Sequence, residues 1–316
     1  MKMKKIYTIG IVVFLLSLVA CKKDDSPTVT PPRDRQEVYD ENIVEIENYL
    51  KNNYLQVVGS DATVKLIDSD QVSIWDDTTY PLQYITVKND SRSSLLTDGR
   101  IEDPVLYKLY YVVLNEGGGG APKSVDSTFT AYKGWNLDNE IFDQNNNGNW
   151  FSFPEASISS ISGYRQILST IKTSTVNAPT LGSDGTLSWE GTNYGNVIVF
   201  IPSGLAYFNG AVSNVGQYAP IVFQIKLFTL KERDHDRDLI GDKYEDLNFD
   251  NDFFNDDTDG DGVPDFLDID DDDDNVVTKT ELIQSNDGNG NITYYDYDTV
   301  PTCGGTLKKY LDPSCQ

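Results

Sequence analysis

Strands and a short helix are interleaved in the middle of this 316-residue chain, and three observations predict that mixture. Ile221, Phe223, Ile225 and Leu227 alternate with Val222, Gln224 and Lys226, the period of a strand with one buried face. Val197 to Ile201 is a continuous apolar run that stops at Pro202, as a buried strand stops at a turn. Ile158, Ile161, Tyr164, Ile167, Leu168 and Ile171 recur at three- and four-residue spacing behind a group of serines, which predicts a short amphipathic helix. Phe223 therefore points into a core and Tyr207 falls on a loop. The first amides of a helix have no partner within it, so the Ile161 N–H is available to a ligand carbonyl.

The N-terminal elements concern location. Lys2, Lys4 and Lys5 precede an apolar run from Ile6 to Ala20 that is too short for a membrane span, the pattern of a secretory signal. The run ends "LVAC", which resembles a bacterial lipobox and implies a lipidated N-terminal Cys21; the alternative is a secreted protein with a free Cys21. Several acyl chains on one residue give stable anchoring where one does not. "KKDDSPTVTPPRDR" reads as an extended tether. Within it, Lys23-Asp24-Asp25 resembles the surface-export signal of some Bacteroidetes lipoproteins, with a periplasmic location as the alternative. Ile43, Ile46, Leu50 and Tyr54 then predict a helix within Arg35 to Leu55 that packs on the following domain, docking on a partner being the alternative. "EGGGGAP", Glu116 to Pro122, predicts a flexible loop, and Ser174 to Asn196 a surface loop or a hairpin around "SDGT".

Five segments carry the functional reading: "AYKGWNLDNEIFD" (131–143), "FSF" (151–153), "ISGY" (161–164), "IPSGLAY" (201–207) and "APIVFQIKL" (219–227). They supply aromatic and apolar side chains with no nucleophile or metal ligand suited to attack, so they describe a pocket that binds. Their order resembles the FK506-binding (FKBP) family of peptidyl-prolyl cis/trans isomerases over roughly Pro104 to Lys231. The resemblance implies an α+β fold, an FKBP-like curved antiparallel sheet around one short helix. It also implies a pocket lined by Tyr132, Phe142, Asp143, Phe151, Ile161, Tyr164, Tyr207, Val215 and Phe223. Tyr164 stands where the family's most active members carry Trp.

Composition excludes other chemistries. The single histidine, His235, and the three cysteines all lie outside the pocket segments, so no Ser-His or Cys-His pair can be built there. A formal net charge of −25 makes nucleic acid an unfavourable partner.

The charge is concentrated from Asp234 to Gln316, where 24 acidic residues face 5 basic ones. A solvated acidic tail is the ordinary reading of such a run. Here the carboxylates have the period of calcium loops, in which alternate residues aim oxygens at one ion. The first loop places Asp234, Asp236, Asp238, Asp242 and Glu245 at ligand positions, with the Ile240 carbonyl between; Leu239 stands where Gly is usual. The second is Asp257, Asp259, Asp261, Val263, Asp265 and Asp268, and the third Asp270, Asp272, Asp274, Val276, Thr278 and Glu281. Asp287, Asn289 and Asn291 form a weaker fourth candidate. "DTDGDGVPDFLDIDDDDD" also resembles thrombospondin type 3 repeats, and two or three structural calcium ions are expected. His235, at a non-ligand position, is expected in solvent. Cys303 and Cys315 are placed to close a small disulfide loop in an oxidising compartment, the alternative being two free thiols.

The expected organisation is a signal peptide (1–20), a lipidated tether (21–34), a helical region (35–83), the isomerase-like domain (84–232), calcium repeats (233–282) and a C-terminal tail (283–316). The resemblance implies prolyl isomerisation on proline-containing polypeptide clients exported to the periplasm or outer membrane. Two alternatives remain: a weakly catalytic chaperone or accessory subunit of an outer-membrane β-barrel assembly or secretion machine, and a passive calcium-stiffened surface protein.

Overall fold

A computed structural model describes residues 31–91, 101–154, 160–175, 180–185, 187–188 and 191–315. The expectations for the signal segment, Cys21, Lys23-Asp24-Asp25 and Ile158 fall outside these residues.

The sheet is built from six strands, all paired antiparallel: β3 (Leu82–Val87), β4 (Tyr107–Asn115), β5 (Ser127–Asn136), β6 (Ile141–Phe151), β9 (Gly195–Ile201) and β10 (Ile221–Lys231), in the order β3-β4-β9-β10-β5-β6. Register shifts at Leu227/Thr229 in β10 and twice between β5 and β6 are bulges, which bend the strands that carry them. Together with few helices, this is the α+β architecture expected.

One face carries α2 (Ser162–Ile167), extended by a 3-10 turn through Thr170. Tyr164, Ile167, Leu168 and Ile171 pack there with Phe223, Ile225 and Leu227 of β10 and Val197 and Val199 of β9. Helix α2 is shorter than the apolar spacing suggested.

The opposite face is covered too. Helix α1 (Arg35–Asn52), capped by the Asp34 carboxylate accepting from the Glu37 amide at 2.9 Å, lays Ile46, Tyr49 and Leu50 over Ile198, Phe200 and Val222. It ends at Asn52, and Tyr54 belongs instead to β1 (Asn53–Val58), which pairs with β2 (Asp61–Leu66) in a hairpin. The hairpin also covers β10: the Gln224 side chain accepts from the Ala62 amide at 3.1 Å and donates to the Ser60 carbonyl at 2.8 Å. Strand β10 is therefore buried on both faces at its centre, where the alternation predicted one, because Gln224 is satisfied by the hairpin rather than by water.

The glycine loop is pinned. The Gly118 and Gly119 amides donate to the Thr173 carbonyl at 3.0 and 2.8 Å, and the Lys172 amide to the Glu116 carbonyl at 2.7 Å. Gly117, at φ +87°, lies so close that a Cβ would sit 2.1 Å from the Lys172 oxygen, so the glycines serve close backbone approach rather than flexibility. Downstream, β7 (Thr180–Leu181) and β8 (Leu187–Ser188) form the hairpin expected near "SDGT".

From Arg233 the chain runs through turns that pack on the sheet domain. Phe253, Phe254 and Phe266 form a small core with Val125 and Phe153, and Asp34–Gln316 is one compact unit. The C-terminal residues are not a loose tail. Helix α3 (Thr278–Glu281) leads into the hairpin β11 (Ile283–Asn286) and β12 (Ile292–Tyr294), while Val300, Tyr310 and Leu311 pack against Ile240 and Leu282. A disulfide joins Cys303 to Cys315 with Cα atoms 5.6 Å apart.

Candidate aromatic binding basin and acidic clusters

The sheet brings the aromatic set together. Phe223 on β10 meets Tyr164 on α2 edge-to-face at 5.4 Å, Tyr132 on β5 at 5.8 Å and Phe142 on β6 at 5.5 Å. Tyr132 contacts Tyr164 at 5.9 Å and Phe151 at 6.0 Å; Phe151 lies 5.6 Å from Tyr164, and Phe142 lies 6.2 Å from Tyr207. Tyr164, Val215 and Phe223 are buried, whereas Tyr132, Phe142, Phe151, Ile161 and Tyr207 are half-buried and Asp143 is exposed. The result is an aromatic dish, a buried floor with a half-buried rim. Edge-to-face rings aim positive edges at negative faces, so each pair adds about 0.5–1.5 kcal/mol beyond its buried area.

Two residues that the sequence reading did not single out make this floor possible. The Tyr164 hydroxyl, which cannot be buried unpaired, bonds the Thr130 hydroxyl of β5 at 2.7 Å. Burial raises its pKa well above the tyrosine value, so it stays protonated. Gly134, on β5, lies beneath two rings: a Cβ there would be 2.6 Å from Phe223 and 2.8 Å from Phe142.

At the rim the Tyr132 hydroxyl donates to the Asp143 carboxylate at 3.0 Å. Burial, then that carboxylate, pushes the Tyr132 pKa up to about 12. The Tyr207 hydroxyl is likewise raised, by burial first and Asp143 second, and remains a donor at neutral pH. Ile161 caps α2 with φ −63° and ψ 153°, its carbonyl accepting from Tyr164 and Arg165. A separate cleft between residues 85–90 and 250–255 is polar and lacks such a ring set.

The acidic segment forms three clusters whose carboxylate oxygens lie within 4.8 Å of one another and could hold metal ions: Asp236, Asp238, Glu245 and Asp271; Asp257, Asp259 and Asp261; and Asp270, Asp272 and Asp274. Each loop is shaped by side chains folding back on the amide two residues on, as Asp236 does to Asp238, Asp259 to Asp261 and Asp272 to Asp274. That leaves the second oxygen of the buried Asp238 and Asp272, and both oxygens of Glu245, Asp271 and Glu281, without a hydrogen-bond partner. Two unit charges 4.8 Å apart repel by about 3 kcal/mol at an effective dielectric near 20. Burial first and neighbouring carboxylates next accordingly raise Asp236 to about 9, Asp271 to about 10 and Glu281 to about 8. Buried carboxylates with unpaired oxygens fit a hard divalent cation, which accepts oxygens only.

The structure brings some of the expected ligands together in these clusters and leaves others beside them. Asp242 and Asp265 stand outside the three clusters, and they and Thr278 each accept the amide seven residues earlier: His235 at 2.9 Å, Thr258 at 2.7 Å and Asp271 at 3.3 Å. Asp234 and Asp268 also stand outside them, and Glu281 lies near the third cluster without joining it. The Ile240, Val263 and Val276 amides bond the preceding loop carboxylates, at 2.7 Å in each case. Asp271, absent from the sequence reading, enters the first cluster. His235 is not in solvent: its side chain is 6% exposed and its Nδ1 lies 2.5 Å from Asp242 Oδ2. Asp287 is used by its own turn, accepting from the Asn289 and Asn291 amides.

Among the described residues, no helix is long and apolar enough to cross a membrane. A family model described as BamM C-terminal matches residues 235–309. Curated proteins give no match. Similar solved structures include FkpA from Escherichia coli (25% identity, 39% of this chain and 48% of that one, TM-score 0.30). A peptidyl-prolyl cis-trans isomerase from Pseudomonas syringae pv. tomato has 22% identity over 46% of this chain and 86% of its own, with a TM-score of 0.30. The N-terminal domain of FKBP42 from Arabidopsis thaliana has 15% identity over 48% of this chain and 100% of its own, with a TM-score of 0.31. The chain thus spans about half the length of FkpA.

Proposed function

We propose that the aromatic dish binds X-Pro segments of polypeptides and catalyses their cis/trans isomerisation. The observation that carries this reading is the convergence of Tyr132, Phe142, Phe151, Tyr164, Tyr207 and Phe223 from four strands and loops and one helix onto a single apolar floor. Rotation about an X-Pro bond is opposed by about 18–20 kcal/mol of lost amide resonance. A twisted amide has less charge separation than a planar one, so a dry apolar floor favours it over the ground state. A thousandfold acceleration needs only about 4 kcal/mol of that preference. Phe151, Tyr164, Val215 and Phe223 hold the proline ring, and Tyr132, Phe142 and Asp143 form the opposite wall. The Tyr207 hydroxyl and the Ile161 amide fix the flanking carbonyls, and no proton is transferred. Tyr207→Phe is expected to lower turnover at least tenfold while near-UV circular dichroism stays unchanged; unaltered turnover removes Tyr207 from the mechanism.

A second reading draws on the BamM C-terminal match, which supports an outer-membrane assembly link. In it the dish retains peptide affinity with little turnover and the protein works as an accessory subunit of a β-barrel assembly or secretion complex. Co-purification with an outer-membrane β-barrel that survives Phe223→Ala favours this reading over the enzyme.

On either reading the acidic clusters hold calcium, two or three ions of structural role, with Asp236, Asp238, Glu245, Asp257, Asp259, Asp261, Asp270, Asp272 and Asp274 as carboxylate ligands. The chain is proposed to be exported and anchored through a lipid on Cys21 at the outer membrane.

A further inference from the structure

We infer that the first acidic cluster is an inter-loop metal cross-link, completed by Asp271 from the third loop. The inference rests on the calcium reading above and assigns that site a ligand and a role that the loop period does not contain. Asp236, Asp238 and Glu245 belong to one local turn, while Asp271 reaches them from 26 residues beyond Glu245, yet the four carboxylates share oxygens within 4.8 Å.

Burial carries the argument past mere proximity of acids. Asp271 is 1% exposed and Glu245 2% exposed, and all four of their carboxylate oxygens lack a hydrogen-bond partner. Asp238, 2% exposed, spends one oxygen on the Ile240 amide and leaves the other unpartnered; Asp236 does the same toward the Asp238 amide. An unpaired buried carboxylate is among the costliest groups a fold can hold, and a divalent cation is the partner that satisfies several at once.

The placement of Asp271 is itself fixed by the third loop. Its amide donates to the Thr278 hydroxyl at 3.3 Å, so its backbone belongs to the loop whose Asp270, Asp272 and Asp274 form another cluster. Successive residues thus face different ions: 270, 272 and 274 turn to their own loop and 271 turns away from it to the first. An ion in the first cluster ties the start of the acidic segment to its end. The intervening chain, including Phe253, Phe254 and Phe266 packed on Phe153, becomes a closed loop with the ion as its clasp. Closing a loop through a metal restricts the open chain as a covalent link does.

Calcium titration of the metal-stripped full chain, read by calorimetry and by native mass spectrometry for the number of ions, tests the clasp. Glu245→Gln and Asp271→Asn are each expected to abolish or weaken by more than tenfold the binding of one ion, and the double variant to lose that same single ion. Asp273→Asn, an exposed neighbour, is expected to titrate like the parent. In saturating calcium, trypsin is expected to cut after Lys243 faster in Asp271→Asn than in the parent. Loss of two ions in the double variant, or an Asp271→Asn titration indistinguishable from that of Asp273→Asn, overturns the clasp while leaving calcium binding in place. A parent chain that takes up no calcium removes the calcium reading itself.

Discussion

Tyr164 and Gly134 show how single residues set the dish. Replacing Tyr164 by Phe keeps the ring and its 5.4 Å contact with Phe223 but strands the fully buried Thr130 hydroxyl. The expected cost is about 1–2 kcal/mol in urea unfolding, with X-Pro binding little changed. Gly134→Ala is expected to do the reverse of sparing the site: its methyl group forces Phe223 or Phe142 to move, costing about 1–3 kcal/mol and weakening peptide binding at least tenfold in an NMR titration. The ring residues were legible in the sequence because aromatic type and order survive without knowledge of register. Thr130 was not, since only the pairing of β5 with its neighbours decides which small hydroxyl lies under Tyr164. His235 misled for the same reason: its spacing said solvent, but a turn that returns Asp242 to its amide also buries its ring.

At the scale of elements, β10 was legible as a strand from its period, yet only half of its environment was. Alternation reports the face that a strand hides from water, and Gln224 and Lys226 read as solvent-facing. Their partners, Ser60, Asp61 and Ala62, lie about 160 residues away in a hairpin the spacing did not predict. Helix α1 is the larger part of that cover. Leu50→Ala, at a fully buried position, is expected to cost about 2–5 kcal/mol in urea unfolding. Because Leu50 packs on the face of the sheet opposite the dish, isomerisation per folded molecule is expected to change less than threefold. The carboxylate period likewise predicted loops, but not that Asp242, Asp265 and Thr278 each take the amide seven residues earlier, which local backbone geometry decides.

Across the whole molecule, charge and folding are linked through the acidic segment. In its first cluster Asp236 sits near 9 and Asp271 near 10, above the ordinary carboxylate range, so an incoming ion displaces protons there. Calcium affinity is therefore expected to rise with pH and to fall as pH drops through about 10 and 9, where Asp271 and Asp236 take up protons, measured by titration at fixed ionic strength. Chelation is expected to speed tryptic cleavage after Arg237 and Lys243 while the sheet persists, because the dish is built from β5, β6, β10, α2 and the 202–220 loop. Loss of the sheet's far-UV signal on chelation contradicts that division.

The central claim is the dish, and exchange NMR on a short X-Pro peptide, with and without an FK506-type macrocycle, tests it most directly. An isomerase dish gives faster cis/trans exchange that the macrocycle blocks and that Phe223→Ala abolishes. Exchange at the uncatalysed rate, with neither peptide nor macrocycle bound, contradicts it.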